Sequence, residues 1–192
     1  MKVLAILAAG LTAAATSSAQ VLVIDDFADP DQGGSLNHWT EVVSGTAVIE
    51  HDASQGALAP GVAKLWTWAP SGQSTAWRCT NIDDSTDYAL SASVRMDLEL
   101  VAACSITALL VDGMDCPNQA PILQVREAAV LPQLSWHRRS VLLNGMTDPT
   151  PGDGLSVALL LDHDRTSGSS PAECLFDDLM FASDAFFSGL FE

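Results

Sequence analysis

Positive charge is scarce in this sequence, which has eight Lys and Arg residues against 24 Asp and Glu residues. A formal net charge of −16 at pH 7 repels phosphate backbones and anionic lipid. The composition therefore argues against nucleic acid and membrane surfaces as partners. Asp outnumbers Glu among the acids, and this excess indicates either solubility in a salty exterior or the oxygen-rich loops that bind calcium.

Long hydrophobic runs and catalytic signatures are missing from most of the chain. Residues 101–111 form an apolar run that is too short to span a bilayer. The sequence contains no G-x-S-x-G, H-E-x-x-H or phosphate-loop motif. The histidines are scattered beside polar neighbours typical of surface residues: His38, His51, His137 and His163. We therefore predict a non-catalytic protein whose mature chain does not insert into a membrane.

The N-terminal segment is the exception, because an apolar run covers residues 3–15 behind Lys2. Small residues follow it at Ser17 and Ala19. This arrangement is typical of a secretory signal peptide, residues 1–19, rather than of a membrane anchor. It predicts a secreted, extracellular protein, either free or associated with the cell surface. We assign one domain to residues 20–182. The remaining tail, 183–192, contains three phenylalanines and predicts either a packing strap or a sorting and surface-association tag.

Cysteines are few but even in number: Cys79, Cys104, Cys116 and Cys174. No C-x-x-C or Cys/His spacing supports zinc or redox chemistry, so two disulfides are expected in a secreted chain, with three connectivities to choose from. Cys104 and Cys116 flank a segment that resembles one strand entering a turn. We therefore predict a local Cys104–Cys116 bond, which leaves Cys79 to bond with Cys174.

Helical periodicity is absent from the mature chain, and short alternating runs separated by turn signals recur instead. These runs are residues 21–27, 39–43, 46–51, 62–68, 76–82, 88–98, 103–112, 122–127, 135–143, 155–162 and 174–181. Residues 98–110 also fit a helix. This many strands in one domain predict a β-sandwich or barrel.

Two runs show how the faces of these strands are expected to alternate. Residues 88–98 have an apolar face formed by Tyr88, Leu90, Ala92, Val94, Met96 and Leu98. In residues 174–181, alternation places Asp178 on the face of Cys174 and Phe176, and Asp177 on the opposite face. One of these two carboxylates is therefore expected to be buried, and it would need hydrogen bonds, a cation or a metal.

The order of four segments resembles a known family of binding domains. "IDDF" precedes Trp39, "DYALSASVRM" and "SWHRRSVLL" follow, and "CLFDDLMF" comes last. This layout resembles the jelly-roll carbohydrate-binding modules of families four and nine over residues 21–181. The resemblance implies an all-β fold, a jelly-roll β-sandwich of two antiparallel sheets, that binds extracellular polysaccharide without catalysis. It also implies that Trp39 and Trp136 belong to the fold itself.

The same resemblance implies a structural calcium ion. In that family the first aspartate of the last-strand pair binds calcium together with groups near the N-terminus. The matching residue is Asp177, with Asp25 or Asp26 as the N-terminal contributor. The alternative is that Asp177 only accepts hydrogen bonds from neighbouring backbone N–H groups.

Aromatic side chains are few, with five Trp and one Tyr, so the candidates for a sugar-binding surface are also few. Trp66 and Trp68 are expected to project from one side of a strand, with Lys64 alongside. A short loop at residues 69–74 would bring Trp77 beside them as a hairpin partner. These tryptophans form either a stacking platform or a seal for the sandwich. The polar candidates are Arg95, Gln124 and Arg126.

Two other functions compete with polysaccharide binding. An adhesive or structural domain at the cell surface would keep the same scaffold and bind surface proteins. A small polysaccharide lyase or glycoside hydrolase would need a cleft where a His or Arg meets paired acids.

Overall fold

The computed structural model describes residues 20–28, 36–58, 60–83, 86–96, 102–145, 148–150, 152–168 and 171–183. Every regular element in these ranges is a β-strand. In chain order they are β1 Val21–Asp25, β2 Thr40–Asp52, β3 Val62–Ile82, β4 Tyr88–Met96, β5 Ala102–Asp112, β6 Ile122–Val130, β7 Gln133–Leu143, β8 Leu155–Arg165 and β9 Ala172–Ser183. Residues 102–110 are extended, so the helical alternative for this segment is wrong. No helix in these ranges is long and apolar enough to cross a membrane.

The eleven predicted runs correspond to nine strands, because the chain stays extended at two places where a turn between strands was predicted. Residues 39–43 and 46–51 merge into β2, and residues 62–68 and 76–82 merge into β3. The two long strands bend together at one corner, where the Thr46 hydroxyl donates to the carbonyl oxygens of Trp68 and Ser71. Gly45 has a φ of 65°, and a Cβ there would lie 2.7 Å from the Ser71 carbonyl oxygen. Glycine permits this close approach of the backbones.

Strand β3 belongs to both layers of the sandwich. Its residues 72–82 pair with β8, and its residues 63–67 pair with β9. The β8 layer runs β6-β5-β8-β3, and the β9 layer runs β3-β9-β4-β7. Strand β2 accompanies β3 through both layers, and β1 pairs with β9. All pairings are antiparallel, so the all-β prediction of a jelly-roll β-sandwich is confirmed.

The core lies between the layers and follows the alternation of the strands. The predicted apolar face of β4 is buried from Tyr88 to Met96, and Leu98 lies outside the described residues. Trp39 packs against Phe27, with ring centroids 5.8 Å apart, and its Nε1 donates to Asp25 Oδ2 at 2.8 Å. Trp39 is only 8% exposed, which confirms its expected structural role.

The two consecutive aspartates lie at a β-bulge in β9. Ser91 of β4 is opposite Met180, whereas Ser93 is opposite Asp177, so β9 contains one extra residue here. Asp178 accordingly has a φ of 47°. The inward positions change from Cys174 and Phe176 before the bulge to Leu179 and Phe181 after it. The expectation of strict alternation is wrong for this strand, because a bulge inserts one unpaired residue and changes which face is buried.

Both disulfides differ from the predicted pairing. Cys104 of β5 bonds to Cys174 of β9, with Cα atoms 6.2 Å apart, and this bond joins the two layers through the core. Cys79 of β3 bonds to Cys116 in the segment after β5, with Cα atoms 6.0 Å apart.

The local Cys104–Cys116 bond is excluded by the extended shape of β5. Eight residues at about 3.3 Å each carry the chain roughly 25 Å from Cys104 to the end of the strand. A disulfide needs Cα atoms within about 7 Å. Cys104 therefore bonds across the core, while Cys116 lies at the far end of the sandwich beside Cys79.

Two predicted segments lie outside the described residues: the signal peptide at residues 1–19 and most of the tail. β9 continues through Ser183, so this first tail residue belongs to the last strand.

Candidate functional site

The six residues expected to bind ligand are divided between the two layers. Those in the β9 layer are Trp66, Trp68 and Arg95, and those in the β8 layer are Trp77, Gln124 and Arg126. The structure therefore places three of the predicted residues on one layer and separates the other three from them.

Trp66 and Trp68 project outward from the first half of β3, because Leu65 and Thr67 of the same strand are buried. Their ring centroids are 5.1 Å apart and their planes meet at 66°. Trp68 is 56% exposed, whereas Trp66 is half-buried and its Nε1 has no hydrogen-bond partner among the described residues. The two rings meet edge to face, so they form an angled aromatic surface rather than a flat platform.

Lys64 stands beside this pair, as the sequence predicted. Its Nζ lies 5.2 Å from the ring centroid of Trp66 and forms salt bridges of 3.2 Å to Glu50 and 3.3 Å to Glu173. Partial burial opposes the charged form, but hydrogen bonds and charge from Glu50 and Glu173 raise the pKa of Lys64 above its usual 10.5. The ammonium is therefore charged and fixed over the indole.

Trp77 lies beyond the corner of β3, on the outer side of the β8 layer, where it is opposite Leu160 of β8. Residues 69–74 continue the strand and do not form a loop. The prediction that Trp77 is a hairpin partner of Trp66 and Trp68 is therefore wrong, because the corner places it in the other layer.

A half-buried carboxylate, Asp162, lies opposite Thr75 on the same outer side as Trp77. Asp162 accepts a hydrogen bond of 2.7 Å from the Thr75 hydroxyl. Burial raises the pKa of Asp162, hydrogen bonds from Thr75 and Thr107 oppose that rise, and the charge of Glu127 adds to it.

Gln124 and Arg126 lie on β6, at one end of the β8 layer. They are opposite the buried residues Leu110 and Ala108, so both occupy inward positions of the strand. Gln124 is half-buried, and its Oε1 has no partner in the described part of the chain. Arg126 is exposed because β6 is the edge strand.

Arg95 is paired with a tryptophan that the sequence assigned to the fold. Its guanidinium carbon lies 5.5 Å from the ring centroid of Trp136, and its Nη2 donates to Gln55 Oε1. Gln55 Nε2 in turn donates to Asp52 Oδ2 at 2.8 Å. Trp136 is half-buried on the outer face of β7 and does not lie in the core between the layers. The alternation of side chains along β7 indicates this outward position, since Val141 and Leu143 face inward and the even-numbered residues therefore face outward.

A cleft of about 450 Å³ opens beside Trp136 on the outer side of the β9 layer. Its lining includes the apolar side chains of Ile24 and Leu58, both well exposed, and the polar residues Asp26 and Asp178. A volume of this size lies within the range of small-ligand sites.

Arg138 forms part of the wall of this cleft. It donates to the Asp178 carbonyl oxygen and to the Ser91 hydroxyl, both at 2.7 Å. Burial lowers the pKa of Arg138, while the negative charges of Asp178 and Asp177 oppose that change. These contacts fix the guanidinium against β4 and β9.

Asp177 is 1% exposed beneath the segment that follows β2. Its two carboxylate oxygens accept hydrogen bonds from the backbone N–H groups of Ala57 and Asp178, each at 2.7 Å. Burial raises the pKa of Asp177, these two hydrogen bonds oppose the rise, and the charges of Asp178 and Asp26 increase it. The backbone hydrogen bonds that were expected as the alternative to a calcium ion at Asp177 are therefore present.

Comparison with known proteins supports the fold but does not assign the chain to a family. No family model and no curated protein matches this sequence. Among solved structures, the CBM22-1 xylan-binding domain from Paenibacillus barcinonensis is 13% identical with a TM-score of 0.54, over 88% of this chain and 97% of that one. The family 11 carbohydrate-binding module from Clostridium thermocellum, in complex with a β-1,3-1,4-mixed-linked tetrasaccharide, is 10% identical with a TM-score of 0.51, over 86% and 96%.

An enzyme also contains this fold. The enzymatically active domain of tailspike protein 4 from bacteriophage CBA120 is 8% identical with a TM-score of 0.59 over 80% of this chain. This chain spans only 20% of that protein. At these identities the likeness shows a shared β-sandwich, the fold of many carbohydrate-binding modules.

Proposed function

We propose that this protein is a secreted, non-catalytic module that binds extracellular polysaccharide through the outer face of its β9 layer. The observation that carries the proposal is the presence of Trp66, Trp68 and Trp136 on that one face, with Lys64 and Arg95 against their rings. Aromatic faces contact the C–H surfaces of sugars, while charged and amide groups bind their hydroxyls. The two disulfides support an extracellular location.

The pairing of the strands shows how far the aromatic and basic residues of this face lie from one another. Lys64 and Arg95 are both opposite Leu175 of β9, on either side of it. At about 4.8 Å per strand, they are separated by roughly 10 Å, and Trp136 lies on the next strand beyond Arg95. A ligand that touches Trp66 and Trp136 together must be longer than one sugar ring. This span favours a polysaccharide chain over a monosaccharide.

The cleft is where the enzyme alternative would have to act, because its lining includes Arg138 together with Asp26 and Asp178. Several of these groups already have structural partners. Arg138 is bound by β4 and β9, and Asp178 Oδ2 accepts from the Ser93 hydroxyl at 3.2 Å. Asp26 accepts from the backbone N–H of Ala28 at 3.1 Å. This arrangement supports binding rather than lyase or hydrolase chemistry.

We expect Trp66→Ala, Trp68→Ala and Trp136→Ala each to weaken polysaccharide binding about tenfold, or about 1.4 kcal/mol, because each removes an aromatic contact. Affinity electrophoresis against a panel of soluble polysaccharides, followed by calorimetry on the best binder, measures this loss. Trp77→Ala, on the opposite layer, is the matched control and should keep full affinity.

Three results of this experiment would contradict the proposal. Loss of binding only in Trp77→Ala would place the site on the β8 layer. Release of reducing ends during incubation would restore the enzyme alternative. Binding of surface proteins without binding of any polysaccharide would favour the adhesive alternative.

We also retain the structural calcium ion as part of this proposal. Asp177 is a buried carboxylate without a salt bridge in the described ranges, and Asp26 is close enough for its charge to raise the pKa of Asp177. Calcium takes such oxygens together with backbone carbonyls. Asp25 is the weaker candidate, since it accepts from Trp39 and Phe27 and lies 3.6 Å from Arg78. Among the described residues, no three His, Cys, Asp or Glu side chains group as metal ligands, so backbone oxygens would complete the site.

A chelator should therefore lower the melting temperature, and Asp177→Asn should abolish this sensitivity. Binding to the folded state alone stabilises it by about 2.7 kcal/mol at a hundredfold excess over the dissociation constant. Differential scanning fluorimetry with and without chelator measures the effect. If Asp26 rather than Asp25 binds the ion, Asp25→Asn should keep the sensitivity to chelator. Identical melting curves in chelator would mean that Asp177 acts only through its two backbone hydrogen bonds.

A further inference from the structure

The basic residues of this acidic chain are concentrated at one edge of the sandwich. Residues 122–143, which cover β6 and β7, contain three of the eight Lys and Arg residues, and Glu127 is their single acid. Only residues 131 and 132 separate the two strands, which end the β8 layer and the β9 layer respectively. The two strands therefore lie beside each other at the same side of the molecule.

Four inward positions of these two strands hold polar side chains, although other inward positions, such as Val130, Val141 and Leu143, belong to the apolar core. On β7, His137 and Arg139 are opposite the buried residues Val94 and Ala92 of β4, so they occupy inward positions. Gln124 and Arg126 occupy the matching positions on β6. We call these four residues the β6–β7 edge. Stacked layers are about 10 Å apart, so the two pairs face one another across the opening of the sandwich.

Several polar atoms at the β6–β7 edge lack partners. Within the described residues, Gln124 Oε1, His137 Nε2 and Arg139 Nε are buried without a hydrogen bond. In the described ranges, the salt bridges involve only Lys64 and Arg78 as cations, so Arg126 and Arg139 have no carboxylate partner among those residues. A buried donor of a charged group without an acceptor is costly, and a bound anion would remove that cost.

We infer that the β6–β7 edge binds the anionic groups, carboxylate or sulfate, of an acidic polysaccharide. Guanidinium groups donate paired hydrogen bonds to the oxygens of either group. Trp136 faces outward from the same strand that presents Arg139 inward, so a sugar chain lying across the β9 layer reaches this edge after Trp136. The inference rests on the proposed function and adds the charge of the ligand to it.

The overall negative charge of the protein does not prevent this binding. Exposed charges farther away than about 8 Å are largely screened at physiological ionic strength. The local pair of arginines then determines whether an anionic group is attracted. Above physiological ionic strength, added salt should decrease the preference for anionic polymers, because it then screens the two guanidinium groups as well.

The experiment compares matched polymers that differ only in charge. Polygalacturonate is compared with its fully methyl-esterified form, and dextran sulfate with dextran. We expect the native protein to bind at least one anionic polymer about tenfold more tightly than its neutral counterpart at physiological ionic strength, where the distant acidic residues are screened. Arg126→Gln, at an exposed position, and Arg139→Gln should each reduce that preference. Arg78→Gln, which removes the same charge elsewhere, should leave it intact.

The outcomes identify the ligand and separate the two proposals. A preference for polygalacturonate alone assigns a uronate, and one for dextran sulfate alone assigns a sulfated sugar. Equal binding of charged and neutral polymers, or a preference that survives in both arginine variants, would overturn the inference. Neutral binding that still depends on Trp66 and Trp136 would then leave the proposed function standing.

Discussion

Replacing both Cys104 and Cys174 with alanine is expected to lower the free energy of unfolding by about 4 kcal/mol. The bond links residues 70 positions apart and joins β5 to β9 across the core. In the chain-entropy model, a crosslink of this length strongly restricts the unfolded chain. Alanine is the suitable replacement because both sulfur atoms are buried, and a hydroxyl there would need a hydrogen-bond partner. Urea unfolding followed by tryptophan fluorescence measures the change.

The double variant Cys79→Ala with Cys116→Ala is the matched control. Its bond links residues 37 positions apart, and Cys79 is half-buried. Chain entropy alone predicts a loss smaller by only about 0.5 kcal/mol, so any larger difference reports core packing around Cys104 and Cys174. Non-reducing peptide mapping checks the pairing directly. A Cys104–Cys116 peptide, or a loss below about 1 kcal/mol for the first variant, would contradict this account.

Acidification should destabilise the protein through His163, a residue that the sequence had placed at the surface. His163 is 1% exposed, and its Nδ1 lies 3.2 Å from the Thr67 hydroxyl. Burial lowers the pKa of His163 from 6.5 to about 4, Asp164 opposes the change, and Arg165 reinforces it. The neutral ring therefore stabilises the fold above pH 6.5. This contribution, about 3 kcal/mol in full, is lost as the pH falls through about 4.

Two carboxylates change stability in the opposite direction over the acidic range. The pKa values of Asp162 and Asp177 are raised, so their contributions to stability are greatest below pH 3.8 and decrease as the pH rises through the raised values.

The variant His163→Gln separates the effect of the histidine from that of the carboxylates, because glutamine cannot be protonated in this range. Between pH 7 and pH 4 the native protein should lose about 3 kcal/mol more than the variant does. Parallel curves for the two proteins would show that His163 is not buried in its neutral form.

The features that were predictable from the sequence depend on local alternation. The inward face of β4, from Tyr88 to Met96, follows directly from the period of two in its side chains. The same parity, applied to β7, would have placed Trp136 on the outside. The existence and type of most strands are therefore encoded within each segment.

The features that could not be predicted depend on contacts between distant segments. The bend of β3 is set by its pairing with β8 on one side of the corner and with β9 on the other. The bonding of Cys104 to Cys174 follows from that layering, and no spacing in the sequence encodes it. The bulge at Asp178 also arises from pairing, since it appears only against the register of β4.

The corner of β3 has a consequence for how the protein folds. Leu65 pairs with Cys174 and Ala76 pairs with Leu161, so both halves of this strand find partners in the last quarter of the sequence. Contacts between such distant segments make folding slow, because the chain must close long loops before they form. Until β8 and β9 have been synthesised, the β2–β3 hairpin has an unpaired edge that can recruit strands from other chains. We therefore expect truncations before β8 to aggregate rather than to fold.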